Sequence, residues 1–187
     1  MSRRRKFFFA RMLTITLLAI TAIGSASATP LDDYVAAPDP AFRYDPPAKT
    51  VDNEKYSASV YHMVSQTWLS ESQVDRTEWE HWIIIYVPKV LADTKALVFI
   101  NGGGNGGDAP DPDGPLGQVA VTTKSIVVDV KQIPNQPLKF PDEKDARYME
   151  RGRVEDAMIT YGWDKFLRNG DPIWLARLPM TKAVVRA

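Results

Sequence analysis

The residues with the greatest capacity for chemistry form a glycine tract, GGGNGG, at residues 102–107. It directly follows a short apolar run, residues 96–100, whose β-branched and aromatic side chains predict a strand buried on both faces. An ordinary strand-to-helix connection needs one glycine at most. Five glycines in six positions therefore predict backbone N–H groups that turn toward an anion or a developing oxyanion. A flexible surface loop is the alternative interpretation.

A second polar loop is expected beside the glycine tract. Residues 125–130 read SIVVDV and predict another buried strand, which is followed by the polar, proline-containing segment KQIPNQPL at residues 131–138. In a parallel sheet the exits of two such strands lie at the same edge, where open α/β folds bind their ligands. The two exits are therefore the predicted site.

The elements that must position this site alternate between strands and helices. Residues 56–69 and 82–87 predict two adjacent antiparallel strands. Residues 116–123 and 153–168 predict helices, and the Pro- and Asp-rich residues 30–47 predict an extended segment on the surface. Together these elements predict an α/β fold.

The first 28 residues predict an export signal. A basic start precedes an apolar core at residues 12–23 and an A-x-A cleavage site at residues 26–28, so a periplasmic or secreted protein is expected. Residues 4–7 (RRKF) resemble a twin-arginine signal, but Sec signals carry similar basic clusters, and both routes stay open. The apolar core is too short to span a bilayer, and no later run reaches about eighteen apolar residues, so no membrane span is expected.

Charge and composition exclude several classes of function. Residues 29–187, the predicted single domain, hold 18 basic and 23 acidic residues and lack the clustered positive charge that nucleic acid requires. The sequence contains no cysteine, which excludes disulfides, thiol catalysis and thiolate metal sites. His62 is predicted to be structural, and because His81 is the only other histidine and no cysteine assists, no metal and no cofactor are expected.

Several longer segments of the sequence are similar to one known family. They are TPLDDYV at residues 29–35, SQTWLSESQVDR at residues 65–76, the glycine tract, QIPNQPL at residues 132–138, and residues 163–187. Together they resemble the PhoPQ-activated pathogenicity-related protein family, which also includes autocrine proliferation repressors. The resemblance implies an exported α/β-hydrolase-like protein with a mostly parallel sheet and an antiparallel start, of which this chain would be the amino-terminal part.

The same resemblance implies roles for particular residues. It makes the backbone N–H groups of Gly103 and Gly104 the oxyanion-hole candidates and gives Asn135 and Gln136 a place in a pocket wall. The two amides are equally consistent with hydrogen bonds to their own turn. In this fold the nucleophilic serine lies at a G-x-S-x-G-like elbow on a later strand, and the acid and histidine follow it.

No catalytic residue is predicted within the sequence itself. It contains no G-x-S-x-G, and none of its nine serines is expected to have an adjacent base, so a catalytically incomplete fragment is expected. In the hydrolase order, the strand at residues 96–100 pairs on one side with residues 126–130 and on the other with the nucleophile strand. Without that strand an open apolar edge is expected, and such edges promote self-association.

Two other interpretations stay open. A non-catalytic module that binds a small-molecule or peptide ligand fits the sequence no worse than an enzyme. A dinucleotide-binding domain is the less favoured one: G-x-G-x-x-G at residues 102–107 and Asp129, 22 residues further on, match its spacing. However, residues 108–115 (DAPDPDGP) prevent a helix from beginning at the third glycine, and their carboxylates would repel a pyrophosphate. A partial calcium-loop match at residues 111–114 lacks the glutamate at the twelfth position.

Overall fold

The computed structural model describes residues 28–92 and 94–187, so the predicted export signal lies, except for Ala28, outside the described residues. Within those ranges the strands are β1 Arg43–Tyr44, β2 Lys49–Asp52, β3 Tyr56–Thr67, β4 Glu78–Pro88, β5 Ala96–Ile100 and β6 Ile126–Val130. The helices are α1 Pro30–Ala36, α2 Pro115–Thr123, α3 Ala146–Arg151, α4 Glu155–Asn169 and α5 Arg177–Arg186. A short 3-10 helix, Pro172–Trp174, connects α4 to α5. The protein thus has mixed α/β content.

The strands form one sheet in the order β1-β3-β4-β6-β5, and β2 also pairs with β3. The long β3 and β4 are antiparallel, as predicted, with a register shift between Val64 and Gln66. Among the described strands, β5 and β6 form the one parallel pair, and β4 is antiparallel to β6. The expectation of a mostly parallel sheet is therefore wrong, whereas the antiparallel start is confirmed. Parallel neighbours need a long crossover, and the segment that contains α2 provides it only between β5 and β6.

Strand β5 lies at the edge of the described sheet. Its side chains are far more exposed than predicted: 42% for Leu97, 48% for Val98 and 56% for Ile100. The expectation that this strand is buried on both faces is wrong, because only β6 pairs with it among the described strands. Its row of backbone groups on the outer side forms the open edge that the sequence predicts.

Apolar clusters cover both faces of the sheet. Helix α2 packs on one face through Ala120, against Val60, Ile84, Tyr86 and Val127. Helix α5 packs on the other face, where Ala183 joins Val130 and Ile133. A third cluster links the far end of β3 and β4 to α4 and contains Trp68, Trp79, Leu138, Met158, Tyr161 and Trp174. These clusters fix the carboxyl ends of β5 and β6 beside the loop that leads to α4.

The amino-terminal segment begins with a helix instead of the predicted extended chain. The Thr29 side chain accepts from the Asp32 N–H, and the Asp32 carboxylate accepts from the Thr29 N–H at 2.8 Å, which completes a capping box. Pro30 occupies the first helical turn, where its missing N–H does no harm. Among the described residues, no helix is both long and apolar enough to cross a membrane.

Candidate functional site

The exits of β5 and β6 lie at the same edge of the sheet, as predicted. The Asn101 N–H donates to the carbonyl of Val130 (2.8 Å), and the Ile133 N–H donates to the carbonyl of Asn101 (3.1 Å). The Gln132 N–H donates to the carbonyl of Gly102 (3.0 Å). These three bonds extend the parallel pairing beyond the strands, so the glycine tract and the 131–138 loop form one unit.

The glycine tract leaves the backbone donors of Gly103 and Gly104 open. Gly103 has a φ of 137° and Gly106 has a φ of 75°, conformations that glycine adopts readily and other residues do not. Gly103 and Gly104 are exposed, and their N–H groups donate to no residue in the described part of the chain. This arrangement is compatible with oxyanion binding, and the roles of Gly103 and Gly104 stay predictions.

Gln132, a residue that no motif of the sequence indicates, makes hydrogen bonds to the glycine tract. Its backbone has a φ of 63°, which is unfavourable for a residue with a side chain, and the residue is only 5% exposed. Its side-chain N–H donates to the carbonyl of Gly104 (3.1 Å), and its side-chain oxygen accepts from the Trp82 N–H (3.0 Å). Gln132 therefore connects the glycine tract to β4 and restricts the conformations of the loop.

Gln136 forms a reciprocal pair with Glu155, the first residue of α4. Its side-chain N–H donates to Oε1 of Glu155 (2.6 Å), and its side-chain oxygen accepts from the Glu155 N–H (2.7 Å). Glu155 has a φ of 45°, so it is a second strained residue at this site. A methyl group built on Gly102 would lie 3.5 Å from Oε1 of Glu155. The pair thus places a carboxylate directly beside the glycine tract.

Asn135 and Asn105 shape the second loop. Asn135 is completely buried, and its side-chain N–H donates to the carbonyl of Glu80 in β4 (2.7 Å), whereas its side-chain oxygen has no partner among the described residues. The Asn105 N–H donates to the carbonyl of Gln136 (2.5 Å), and its side-chain N–H donates to the carbonyl of Pro137 (3.2 Å). The two pocket candidates therefore anchor the loop: Asn135 bonds to β4 and Gln136 bonds to α4. Their pocket roles stay predictions.

One serine does have an adjacent base, which corrects the expectation that none would. The Ser65 Oγ lies 2.9 Å from Nε2 of His81, because the two residues are close in the β3–β4 ladder. Nδ1 of His81 donates to the carbonyl of Lys131 (3.2 Å), which leaves Nε2 to accept from the Ser65 hydroxyl. Both residues are 0% exposed, and burial lowers the pKa of His81 to about 4. A substrate cannot reach this pair, so we assign it a structural role.

A cavity of about 330 Å³ lies between the sheet and the start of α2. At its floor the buried Asp129 carboxylate accepts from the Asn101 side chain (2.5 Å) and lies 3.2 Å from Nζ of Lys131. Asp129 is thus already paired, and α2 begins at Pro115, well after the third glycine. Both features count against a dinucleotide site. No group of three or more His, Asp or Glu side chains within residues 28–92 and 94–187 could hold a metal ion.

The fold and site define a mixed α/β protein that presents backbone donors at the exit of a parallel strand. Residues 31–187 match the sequence model of the family described as PhoPQ-activated pathogenicity-related protein. The chain is also 37% identical over 177 residues to autocrine proliferation repressor protein A of Dictyostelium discoideum. The chain belongs to the PhoPQ-activated pathogenicity-related protein family, which confirms the resemblance seen in its sequence.

The alignment with the Dictyostelium protein covers 92% of this chain and 34% of that relative. The chain therefore spans about one third of the length of the curated relative that it matches. No solved structure matches the chain.

Proposed function

We propose that this chain is part of an exported α/β-hydrolase-like protein in which the glycine tract is the oxyanion loop. The observation that carries the proposal is the position of the tract in the sheet. The four strands from β3 onward have the spatial order β3-β4-β6-β5, and the tract follows β5, the third of them along the chain. In α/β hydrolases one oxyanion donor comes from the loop between the third strand and the first helix.

Within this proposal the N–H groups of Gly103 and Gly104 are the oxyanion donors, and Gln136 and Asn135 support the adjacent wall. The printed sequence contains no G-x-S-x-G elbow, and the Ser65–His81 pair is sealed in the core. We therefore propose that the 187 residues are catalytically incomplete, and that a nucleophile would come from sequence corresponding to the part of the relative that the alignment does not cover.

A non-catalytic binding module is the second candidate function. It is favoured by the combination of exposed backbone donors and the absence of an accessible serine–histidine pair among the described residues. Such a module would hold a small-molecule or peptide ligand at the glycine tract without a cofactor.

The experiment that separates the two candidates is reconstitution. We expect a fluorophosphonate probe to leave the purified 187-residue chain unlabelled. Co-expression with the carboxy-terminal part of a full-length relative should restore labelling and saturable ester hydrolysis. Stoichiometric labelling of the 187-residue chain alone would show that it is not incomplete, and a folded complex that neither labels nor hydrolyses would favour the binding module.

A matched pair of variants tests the oxyanion loop in the reconstituted protein. Gly104→Pro removes the N–H group, whereas Gly104→Ala keeps it and places its methyl group 3.8 Å from the carbonyl oxygen of Gln136, an ordinary contact. Loss of one oxyanion donor lowers kcat by about 100-fold to 1000-fold. We expect that loss for the proline variant and a change of only a few-fold for the alanine variant. Equal activities would contradict a role for this donor.

Location and partners follow from other parts of the chain. We propose that the protein is periplasmic or secreted, on the basis of the basic, apolar and A-x-A order of the first 28 residues. We also propose that β5 mediates self-association, because its outer edge is unpaired within the described residues and its apolar side chains are about half exposed. The acidic balance of residues 29–187 does not favour nucleic acid as a partner.

A further inference from the structure

The carboxylate of Glu155 lies beside the glycine tract and therefore restricts the charge of the ligand that the tract can bind. Oε1 of Glu155 lies 3.5 Å from the position of a methyl group built on Gly102, so this carboxylate is in direct reach of the tract. Glu155 is exposed, and one of its carboxylate oxygens is held by Gln136 while the other makes no hydrogen bond to a described residue. The site therefore combines backbone donors with a negative charge.

The negative charge of Glu155 is not neutralised by a nearby cation. None of the ion pairs within the described ranges involves Glu155. Arg153, two residues away, is engaged with Glu143 at 2.5 Å, and Lys165 on the same helix is engaged with Asp142. A phosphate or free carboxylate would be repelled by Glu155 as it approached the tract. A ligand that offers a cation to Glu155 would neutralise this charge, so that its neighbouring oxygen, including an oxyanion that develops there, can accept from the glycines.

Glu155 is held in position by hydrogen bonds to the 131–138 loop. Its φ of 45° is unfavourable for a glutamate, and the conformation is retained by the two reciprocal hydrogen bonds with Gln136, a residue that is only 6% exposed. Gln132, also strained, holds the carbonyls of Gly102 and Gly104. Strained backbone conformations cluster at ligand sites, and they persist only where the surrounding structure stabilises them.

We propose that this site binds an α-amino-carbonyl unit, as found at the amino terminus of a peptide or in an amino-acid derivative. The ammonium group pairs with the carboxylate of Glu155, and the neighbouring carbonyl oxygen accepts from the N–H groups of Gly103 and Gly104. The proposal rests on the proposed function of the glycine tract and names the class of ligand that the tract would take.

The test is a ligand titration of the ¹⁵N-labelled 187-residue chain, followed through the amide resonances of Gly103 and Gly104. The ligands are L-alaninamide, which has a free ammonium group, N-acetyl-L-alaninamide, which has none, and alanyl-alaninamide. We expect L-alaninamide to shift both resonances saturably and the acetylated ligand to bind at least about fivefold more weakly. Tighter binding of alanyl-alaninamide would identify a peptide terminus as the ligand, and equal binding would identify a single amino-acid unit.

Variants of Glu155 separate the effect of its negative charge from the effect of its side chain on the loop structure. Glu155→Gln keeps an oxygen that accepts from Gln136 but removes the charge, and Glu155→Gly removes the side chain while relieving the positive φ. Both should abolish the preference for the free ammonium group. Asp156→Asn, which changes the neighbouring exposed carboxylate, should preserve it.

Two negative results have different meanings. If the acetylated ligand binds as tightly as L-alaninamide and shifts the same resonances, Glu155 does not recognise an amine. The binding of a carbonyl oxygen by the glycine tract is then supported all the same. If neither ligand shifts the resonances of Gly103 and Gly104, the site does not bind an α-amino-carbonyl unit and this proposal is wrong, whereas the role of the tract as an oxyanion loop is decided separately by the Gly104 variants.

Discussion

Acidification should destabilise this protein through His81 before its carboxylates titrate. His81 lies in the core, and burial lowers its pKa from 6.5 to about 4. The unfolded chain therefore binds this proton at a higher pH than the folded chain does. The stabilising contribution is complete above pH 6.5 and is lost as the pH falls from 6.5 toward 4. The separation of the two pKa values corresponds to about 3 kcal/mol in the free energy of unfolding.

About 2 kcal/mol of this contribution should disappear between pH 7 and pH 5, where His81 is protonated in the unfolded chain but not in the folded one. Urea unfolding, followed by tryptophan fluorescence at several pH values, measures it. The variant His81→Gln removes the titrating group, and the matched control His62→Gln removes the other histidine of the sequence. We expect the parent and the control to lose about 2 kcal/mol and His81→Gln to lose less than half of that.

Two results would refute this account. If His81→Gln shows the full loss between pH 7 and pH 5, another group is responsible for it. The Glu143 carboxylate is not a candidate, because its hydrogen bond from Arg153 lowers its pKa below the ordinary value of 4.5. If the parent protein loses no stability in this range, His81 is not buried in its neutral form.

Three further predictions concern packing, association and processing. Gly162→Ala should lower the free energy of unfolding by about 2 to 3 kcal/mol, because its methyl group would lie 2.2 Å from the carbonyl oxygen of Trp174; urea unfolding measures this. Val98→Lys, at the middle of β5, should reduce self-association in sedimentation velocity, whereas Val90→Lys, at an exposed position outside the strands, should not; equal effects would argue against the β5 edge. Intact-mass measurement of exported protein should find Thr29 as the first residue, and a retained signal would contradict cleavage after the A-x-A site.

Local patterns were sufficient to predict most elements. Alternating and β-branched runs predict β3, β4 and β6, and the helical spacing in residues 153–168 predicts α4 to within about two residues at its start. The helix α1 was missed, although Thr29 and Asp32 form the capping signal that could have revealed it. The many prolines of that segment favoured an extended interpretation, but a proline in the first turn is compatible with a helix.

The sequence by itself determined the family, most of the elements and the glycine tract at a strand exit, because each depends on residues close together in the chain. Only the tertiary structure decided which residues surround the tract. Gln136 and Glu155 meet across 19 positions, and Ser65 meets His81 across 16, through loops and strand pairing that no local pattern specifies. The same holds for β5: its composition is typical of a buried strand, but burial depends on the neighbours that a strand acquires in the sheet, and here no described strand pairs with its outer edge.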